Sequence, residues 1–274
     1  MTSVPAPALM SLEDGLSKLR PLVSSKLSHQ KKPALLLKAL ESSLPQPITP
    51  TAYYAALVQT IQQAVAKEVK AGELGVGEGD LIPAVLYLLA IVVDFVPAAV
   101  LHAQSEMGLL GPVFQTVDTS GGLLGADDSA AGQAKSVVSL FSPCATSAPS
   151  LRSLIAIVRQ LLLSAPTPAF ATSPYVAALN ALLSLTLDPR PRVRKVAQEA
   201  VRDILASPPP PAVRHPYAER VAKSLIKILS ERMSSEDAEQ RRIWAVGFVR
   251  IVASSWPGDV SNAQRLLAGF SNER

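Results

Sequence analysis

Arg190, Arg192, Lys195 and Arg202 fall close together in a stretch that also holds Asp188 and Pro191. Cations at that density either contact phosphate or another polyanion, or form an ordinary solvated face. What separates the two is where a helix would point them. Residues 187–205 read LDPRPRVRKVAQEAVRDIL. Asp188 stands where a carboxylate accepts from the free backbone donors of a following helix, and Pro191 supplies the preset φ of a first helical residue. At 100° per residue Val193, Val196, Ala197, Ala200, Val201 and Ile204 share one apolar face, and Ala197 and Ala200 are small enough to let a neighbouring helix come close. Arg192, Lys195 and Arg202 fall on the opposite, solvent side with Glu199, whereas Arg194 sits at the edge of the apolar stripe. Arg190, Arg192, Lys195 and Arg202 are therefore the candidate contacts to RNA or an acidic partner. Asp188, Pro191, Val193, Arg194 and Ala197 are the candidate structural positions.

Other residue types capable of chemistry are scattered. The histidines are His29, His102 and His215, far apart and without an HExxH-type spacing, so they read as surface or capping residues and not as a hydrolase triad or metal set. The single Cys144 excludes an intramolecular disulfide framework and a multi-cysteine zinc site, and it points to a reducing compartment. With no His or Lys beside it to lower its pKa, it reads as a buried or idle thiol. Gly72, Gly75, Gly77 and Gly79 lack the Gly-Lys-Ser/Thr ending of a phosphate loop and read as a linker. Trp244 and Trp256 flank an apolar helix near Arg241, Arg242 and Arg250; helical spacing favours core packing for Trp244 over base stacking. No catalytic residue, metal ligand, cofactor or small-molecule substrate is expected.

The elements that position these residues are helices. In 274 residues, 48% are hydrophobic and only 5% aromatic, with Ala, Leu and Val dominant, a composition that suits closely packed helices. Twenty-three prolines against fourteen glycines fit many short helices separated by turns. The net charge of +4 is unevenly spread: residues 1–140 carry nine Lys/Arg against twelve Asp/Glu, and residues 141–274 carry seventeen against ten. The N-terminal ten residues have no basic stretch followed by an apolar one and do not read as a signal peptide. Residues 81–101 are almost wholly apolar, but Pro83, Asp94 and Pro97 interrupt them, so a buried helix pair is expected in place of a membrane span.

Ser11, with Asp14 three residues on, starts an amphipathic run through Leu12, Leu16, Leu19, Val23 and Leu27. Ser28 can cap a second helix carrying Leu36, Leu37 and Leu40 to about Leu44. Thr49-Pro50 opens a third through Tyr53, Leu57, Ile61 and Val65 to Gly72. Two helices follow at 82–93 and 97–104. Residues 118–132, rich in Gly, Asp and Ser, read as an exposed loop. Further helices are expected at 151–163, 173–187, 191–205, 217–233 and 235–254, with Ser207 to Pro211 as an extended connector. The organisation is thus 1–117, N-terminal helical repeats; 118–148, a loop and connector; and 149–274, further helical repeats.

Residues 175–205, YVAALNALLSLTLDPRPRVRKVAQEAVRDIL, look like a complete HEAT repeat: helix, Asp-Pro turn, second helix with Val-Arg-x-x-Ala in its first turns. The fold class is all-α, a HEAT/armadillo-like helical-repeat solenoid. In such repeats an Arg at the Arg194 position can pair with the turn Asp of a neighbouring repeat. Four stretches extend the likeness: SKLSHQKKPALLLKALESSL at 25–44, TPTAYYAALVQTI at 49–61, LDPRPRVRKVAQEAVRDIL at 187–205 and HPYAERVAKSLIKIL at 215–229. In wording and order they resemble the ribosomal RNA processing family of HEAT proteins called Rrp-twelve-like. The resemblance implies a non-catalytic assembly factor of the nucleus, nucleolus and nucleoplasm. It would bind pre-ribosomal RNA and pre-ribosomal particle proteins, meet nuclear transport factors, and assist subunit maturation and export, with no membrane role. An importin-like or adaptor solenoid that binds only proteins is the alternative. The chain ends just after another helix, where the family continues through many more repeats, so it looks like an N-terminal segment.

Removing residues 118–132 is expected to shift the melting temperature by no more than a few degrees, because the stretch offers little apolar surface to bury. Differential scanning calorimetry of the deletion tests this; a large drop would show that the stretch packs.

Overall fold

The computed structural model describes residues 11–71, 80–102, 140–212, 214–230 and 236–254. The Gly72–Gly79 run, Trp256 and the 118–132 loop lie outside these residues. The chain divides into two compact units, 1–134 and 135–274. Among the described residues every regular element is helical, as the composition and periodicity predict.

In the first unit α1 (Leu12–Ser17) opens with the predicted capping box. Asp14 N donates to Ser11 Oγ at 3.1 Å and Ser11 N donates back to Asp14 Oδ2 at 2.9 Å, satisfying two helix-end donors together. The amphipathic run does not continue as one helix. Pro21, which lacks an N–H and clashes with the preceding turn, diverts it into a 3-10 turn, Arg20–Ser24. Leu16 and Leu19 are buried, but Leu27 is 51% exposed and serves as the N-cap of α2 (Ser28–Ser43). Ser28 is thus the first helical residue and not the cap. Ser25 Oγ, which accepts from Leu27 N at 3.2 Å, does the local hydrogen bonding instead.

Helix α3 (Pro50–Ala71) starts as expected, with Ala52 N donating to Thr49 Oγ1 at 3.2 Å and Tyr53, Leu57 and Ile61 buried. Helix α4 (Leu81–Val92) buries Ile82, Ala84, Val85, Leu86, Leu88, Leu89 and Val92, and it packs against α1, α2 and α3. On α1, Gly15 permits the approach: a Cβ there would come within 3.0 Å of Ile91 Cγ2. A 3-10 turn, Val93–Phe95, and α5 (Ala98–Leu101) follow. The apolar stretch is broken where Asp94 and Pro97 predict, and no helix among the described residues is long and apolar enough to cross a membrane.

Leu140 and Cys144, which fall inside the 118–148 stretch expected to be loop and connector, are both buried and belong to the second unit. Next comes α6 (Ala148–Leu163), whose N-cap Ser147 Oγ accepts from Ser150 N at 3.4 Å. Then follow α7 (Ser173–Leu185), α8 (Pro191–Ala206), α9 (Ala218–Ser230) and α10 (Glu236–Ser254). Pairing within repeats is α7 on α8 and α9 on α10; pairing between repeats is α6 on α8 and α8 on α10. The second helices thus form a row. In the first unit α3 on α4 and α2 on α4 give the same relation. Each helix has an apolar stripe that only a neighbour can cover, which is the physical reason for repetition. The proline run before α9 is not wholly extended: Ala212 N donates to Pro209 O at 2.9 Å and closes a turn, with Pro210-Pro211 cis.

Within α8 the predicted face is the buried one. Val193, Ala197, Val201 and Ile204 are fully enclosed and Ala200 nearly so, while Val196 is only half-buried. Arg192 and Lys195 are exposed. Ala197→Glu is expected to destabilise the second unit by about 3–5 kcal/mol, since it buries an unpaired carboxylate where no space exists. Arg192→Glu combined with Lys195→Glu is expected to stay within about 1 kcal/mol of the parent. Urea titrations of both variants check the pair; the reverse ranking would mean that α8 packs through its other face.

Candidate functional site

The turn between α7 and α8 is built around one carboxylate. Asp188 Oδ1 accepts from Arg190 N at 2.9 Å and from Arg190 Nε at 2.8 Å, and Asp188 Oδ2 accepts from Arg190 Nη2 at 2.7 Å. This is a forked guanidinium–carboxylate pair added to a backbone bond, and Asp188 is buried. The Arg190 guanidinium holds the Asp188 carboxyl below its ordinary pKa, ahead of the opposing effect of burial. Arg190 Nη1 also donates to Ala145 O at 2.7 Å, tying the turn to the segment before α6. Of the four cations assigned to partner contact, Arg190 is therefore engaged inside the unit.

Arg194 is structural, but its partners differ from those predicted. Its Nη1 donates to the carbonyls of Asp188 at 2.8 Å and Pro189 at 3.2 Å, not to a neighbouring repeat's turn carboxylate. The guanidinium also lies 4.1 Å from the ring centroid of Trp244 in α10, a cation–π contact that joins α8 to the next second helix. Trp244 is half-buried and packs against the Arg194 guanidinium at the edge of the core, not within it. Gln198, which the wheel does not single out, is buried and donates from Nε2 to Thr186 O at 3.0 Å, closing the C-terminal end of α7.

On the outer side Arg202 is half-exposed and bound to its neighbour: Nε and Nη2 donate to Asp203 Oδ1 at 3.0 and 2.7 Å. The other Asp203 oxygen takes Arg159 of α6 at 2.9 Å. Two guanidiniums therefore share one carboxylate and leave one positive charge in excess within this cluster. Arg159 lies 44 positions from Asp203, so no local pattern reveals it. Lys195 faces Glu199 at 3.9 Å with both side chains largely in water, an arrangement of little energetic weight. Arg192 is exposed on the same side. The structure thus keeps Arg192 and Lys195 as outward cations, with Arg202 beside them in a shared ion pair.

His215 is not a surface residue. It is buried, its ring centroid lies 4.8 Å from that of Phe170, and its Nδ1 accepts from Tyr217 N at 3.1 Å. Phe170 also meets the rings of Tyr175 and Tyr217 edge-on. Among the described residues neither His215 Nε2 nor the Tyr217 hydroxyl has a hydrogen-bond partner. His29 is exposed and distant in the chain, and among the described residues no three His, Cys, Asp or Glu side chains gather as metal ligands would. Cys144 is buried, and desolvation pushes its thiol up to about 11, in keeping with an idle group. In the first unit a groove of about 550 Å³ is lined by Glu13, Arg20, Glu41 and Tyr53 among others. Arg20 pairs with both Glu13 and Glu41, and Tyr53 Oη donates to Glu41 at 3.3 Å, so its charges are largely matched internally.

Fold and surface together define a helical-repeat protein of the HEAT type, whose available chemistry lies on helix faces. The chain belongs to the RRP12-like family: the family described as RRP12-like, N-terminal HEAT repeats, matches residues 34–245. Ribosomal RNA-processing protein 12 of Saccharomyces cerevisiae is 26% identical over 246 residues, covering 81% of this chain. The chain spans 17% of that relative's length. No solved structure matches.

Burial pushes the His215 imidazole down to about 4 from 6.5. Between those values the unfolded chain takes up a proton that the folded chain refuses, so stability is full above pH 6.5 and falls as pH drops towards 4. The expected loss is about 3 kcal/mol, and protonation would also remove the acceptor for Tyr217 N–H. His215→Gln keeps an acceptor without the titration, so chemical denaturation at several pH values should give a flatter profile for the variant. Parallel profiles would place the acid sensitivity elsewhere.

Proposed function

We propose that this chain is the N-terminal repeat segment of a non-catalytic scaffold in ribosome biogenesis, acting in pre-rRNA processing and in subunit maturation or nuclear export. The observation that carries this reading is family membership across residues 34–245, together with the ribosomal RNA-processing name of the yeast relative. Its partners are pre-ribosomal RNA and proteins of the pre-ribosomal particle, with nuclear transport factors joining through the assembled particle. Its site of action is the nucleus, chiefly nucleolus and nucleoplasm.

The geometry supports an RNA role for α8 in reduced form. Arg192 and Lys195 present charge to solvent, and the Arg159–Asp203–Arg202 cluster adds an excess positive charge nearby on the same helix and its neighbour α6. Such contacts read phosphate and not sequence, and their contribution falls with salt.

Affinity purification of the tagged chain from nuclear extract, with identification of bound RNA and protein, tests the reading. Precursor ribosomal RNA should be enriched, and Arg192→Glu with Lys195→Glu should reduce it severalfold without loss of the folded state. Recovery of transport receptors without precursor RNA would replace this reading with that of a solenoid that binds only proteins.

A further inference from the structure

The outward face of α2 combines charge and apolar surface in a way the α8 face does not. Its core side is Pro33, Ala34, Leu37 and Leu40, all buried. Away from that side, Lys31, Leu35 and Lys38 fall within a sector of roughly 60° on a helical wheel, with Leu27 at the N-cap one turn before Lys31 and Lys32 beyond the sector's edge. Leu27 is 51% exposed and Leu35 is 42% exposed. They are two turns apart, about 12 Å along the axis, with Lys31 one turn from each. Lys26, Lys31, Lys32 and Lys38 are all exposed, and among the described residues none of them forms an ion pair. The helix's own carboxylate, Glu41, is engaged by Arg20 and Tyr53.

From this arrangement we infer that the outer face of α2 is a docking surface for an acidic protein segment that carries apolar side chains on one helical stripe. Charge complementarity selects an acidic partner. The leucines select a protein over a nucleic acid: a phosphate backbone uses the lysines and gains nothing from two exposed aliphatic side chains. That sector of α2 also holds no arginine or aromatic ring on which a base could stack, and the exposed His29 lies roughly 120° round the helix from Leu35. By contrast α8 exposes cations with no large apolar side chain beside them. Two second helices thus present two different chemistries, and this inference stands whether or not α8 meets RNA.

The test uses the full chain and three fluorescent probes: an 18-residue Glu/Leu peptide with leucines on one helical stripe, a peptide of equal charge with serine in place of leucine, and a single-stranded RNA oligonucleotide. The Glu/Leu peptide should bind at least tenfold more tightly than the serine peptide. Leu27→Ser with Leu35→Ser should weaken it at least tenfold, as should Lys31→Gln with Lys38→Gln, and only the lysine variant should flatten the salt dependence. All four positions are exposed, and circular dichroism melts of the variants confirm that folding is retained. Equal binding of the two peptides would overturn the inference, as would absence of peptide binding. RNA binding lost on Lys31→Gln with Lys38→Gln, with no peptide binding, would make the face a phosphate surface instead.

Discussion

A buried carboxylate at the start of a helix is costly unless its lone pairs are filled, and in the second unit Asp188 is filled almost entirely by one residue. Arg190 supplies the backbone N–H and a forked guanidinium, then uses its remaining nitrogen on the carbonyl before α6. With the carboxylate engaged, the carbonyls of Asp188 and Pro189 are left for Arg194, which in turn reaches Trp244. The α7–α8 turn therefore fixes three neighbours at once: the segment leading to α6, the start of α8 and the face of α10. The apolar contacts of Val193, Ala197 and Val201 supply most of the driving force, and the turn decides the angle at which they are delivered.

Much of the fold could be read from the chain because its signals are local. Ser11 with Asp14 and Thr49 with Pro50 each mark a helix start through hydrogen-bond chemistry confined to a few residues, whereas at α8 Pro191 sets the start and Asp188 bonds the N-cap Arg190 and not the helix's own donors. The apolar face of α8 follows from the angular spacing of six side chains. Where Pro21 interrupts an otherwise regular pattern, periodicity extends a helix that the missing N–H cannot sustain. The Ser207–Pro211 run shows the same limit in reverse: its composition suggests an extended strand of chain, and a single bond from Ala212 folds it back.

The candidate surface was less legible because a wheel assigns a side, not a partner. Arg192 and Lys195 point outward as the wheel places them, but Arg190 is taken by a residue two positions away and Arg202 by the next one along. Long flexible cations reach around a helix to the best available carboxylate, so their angular position alone says little about their availability. His215 carried the opposite ambiguity. Beside a proline it reads as a polar loop residue, whereas the rings of Phe170 and Tyr217, one of them 45 positions away, make it part of an aromatic core.

The row of second helices in the second unit has a mechanical side. Helix α8 contacts both α6 and α10 and so links the one to the other. The α6 contact includes Arg159, whose Nε and Nη2 both meet Asp203 Oδ2, and the α10 contact includes a guanidinium resting on an indole. An N–H···O bond weakens as its angle opens, whereas a cation over a ring tolerates lateral displacement at small energetic cost. The two contacts therefore differ in how they yield: the one on α6 through the angle of its hydrogen bonds, the one on α10 by sliding across a ring.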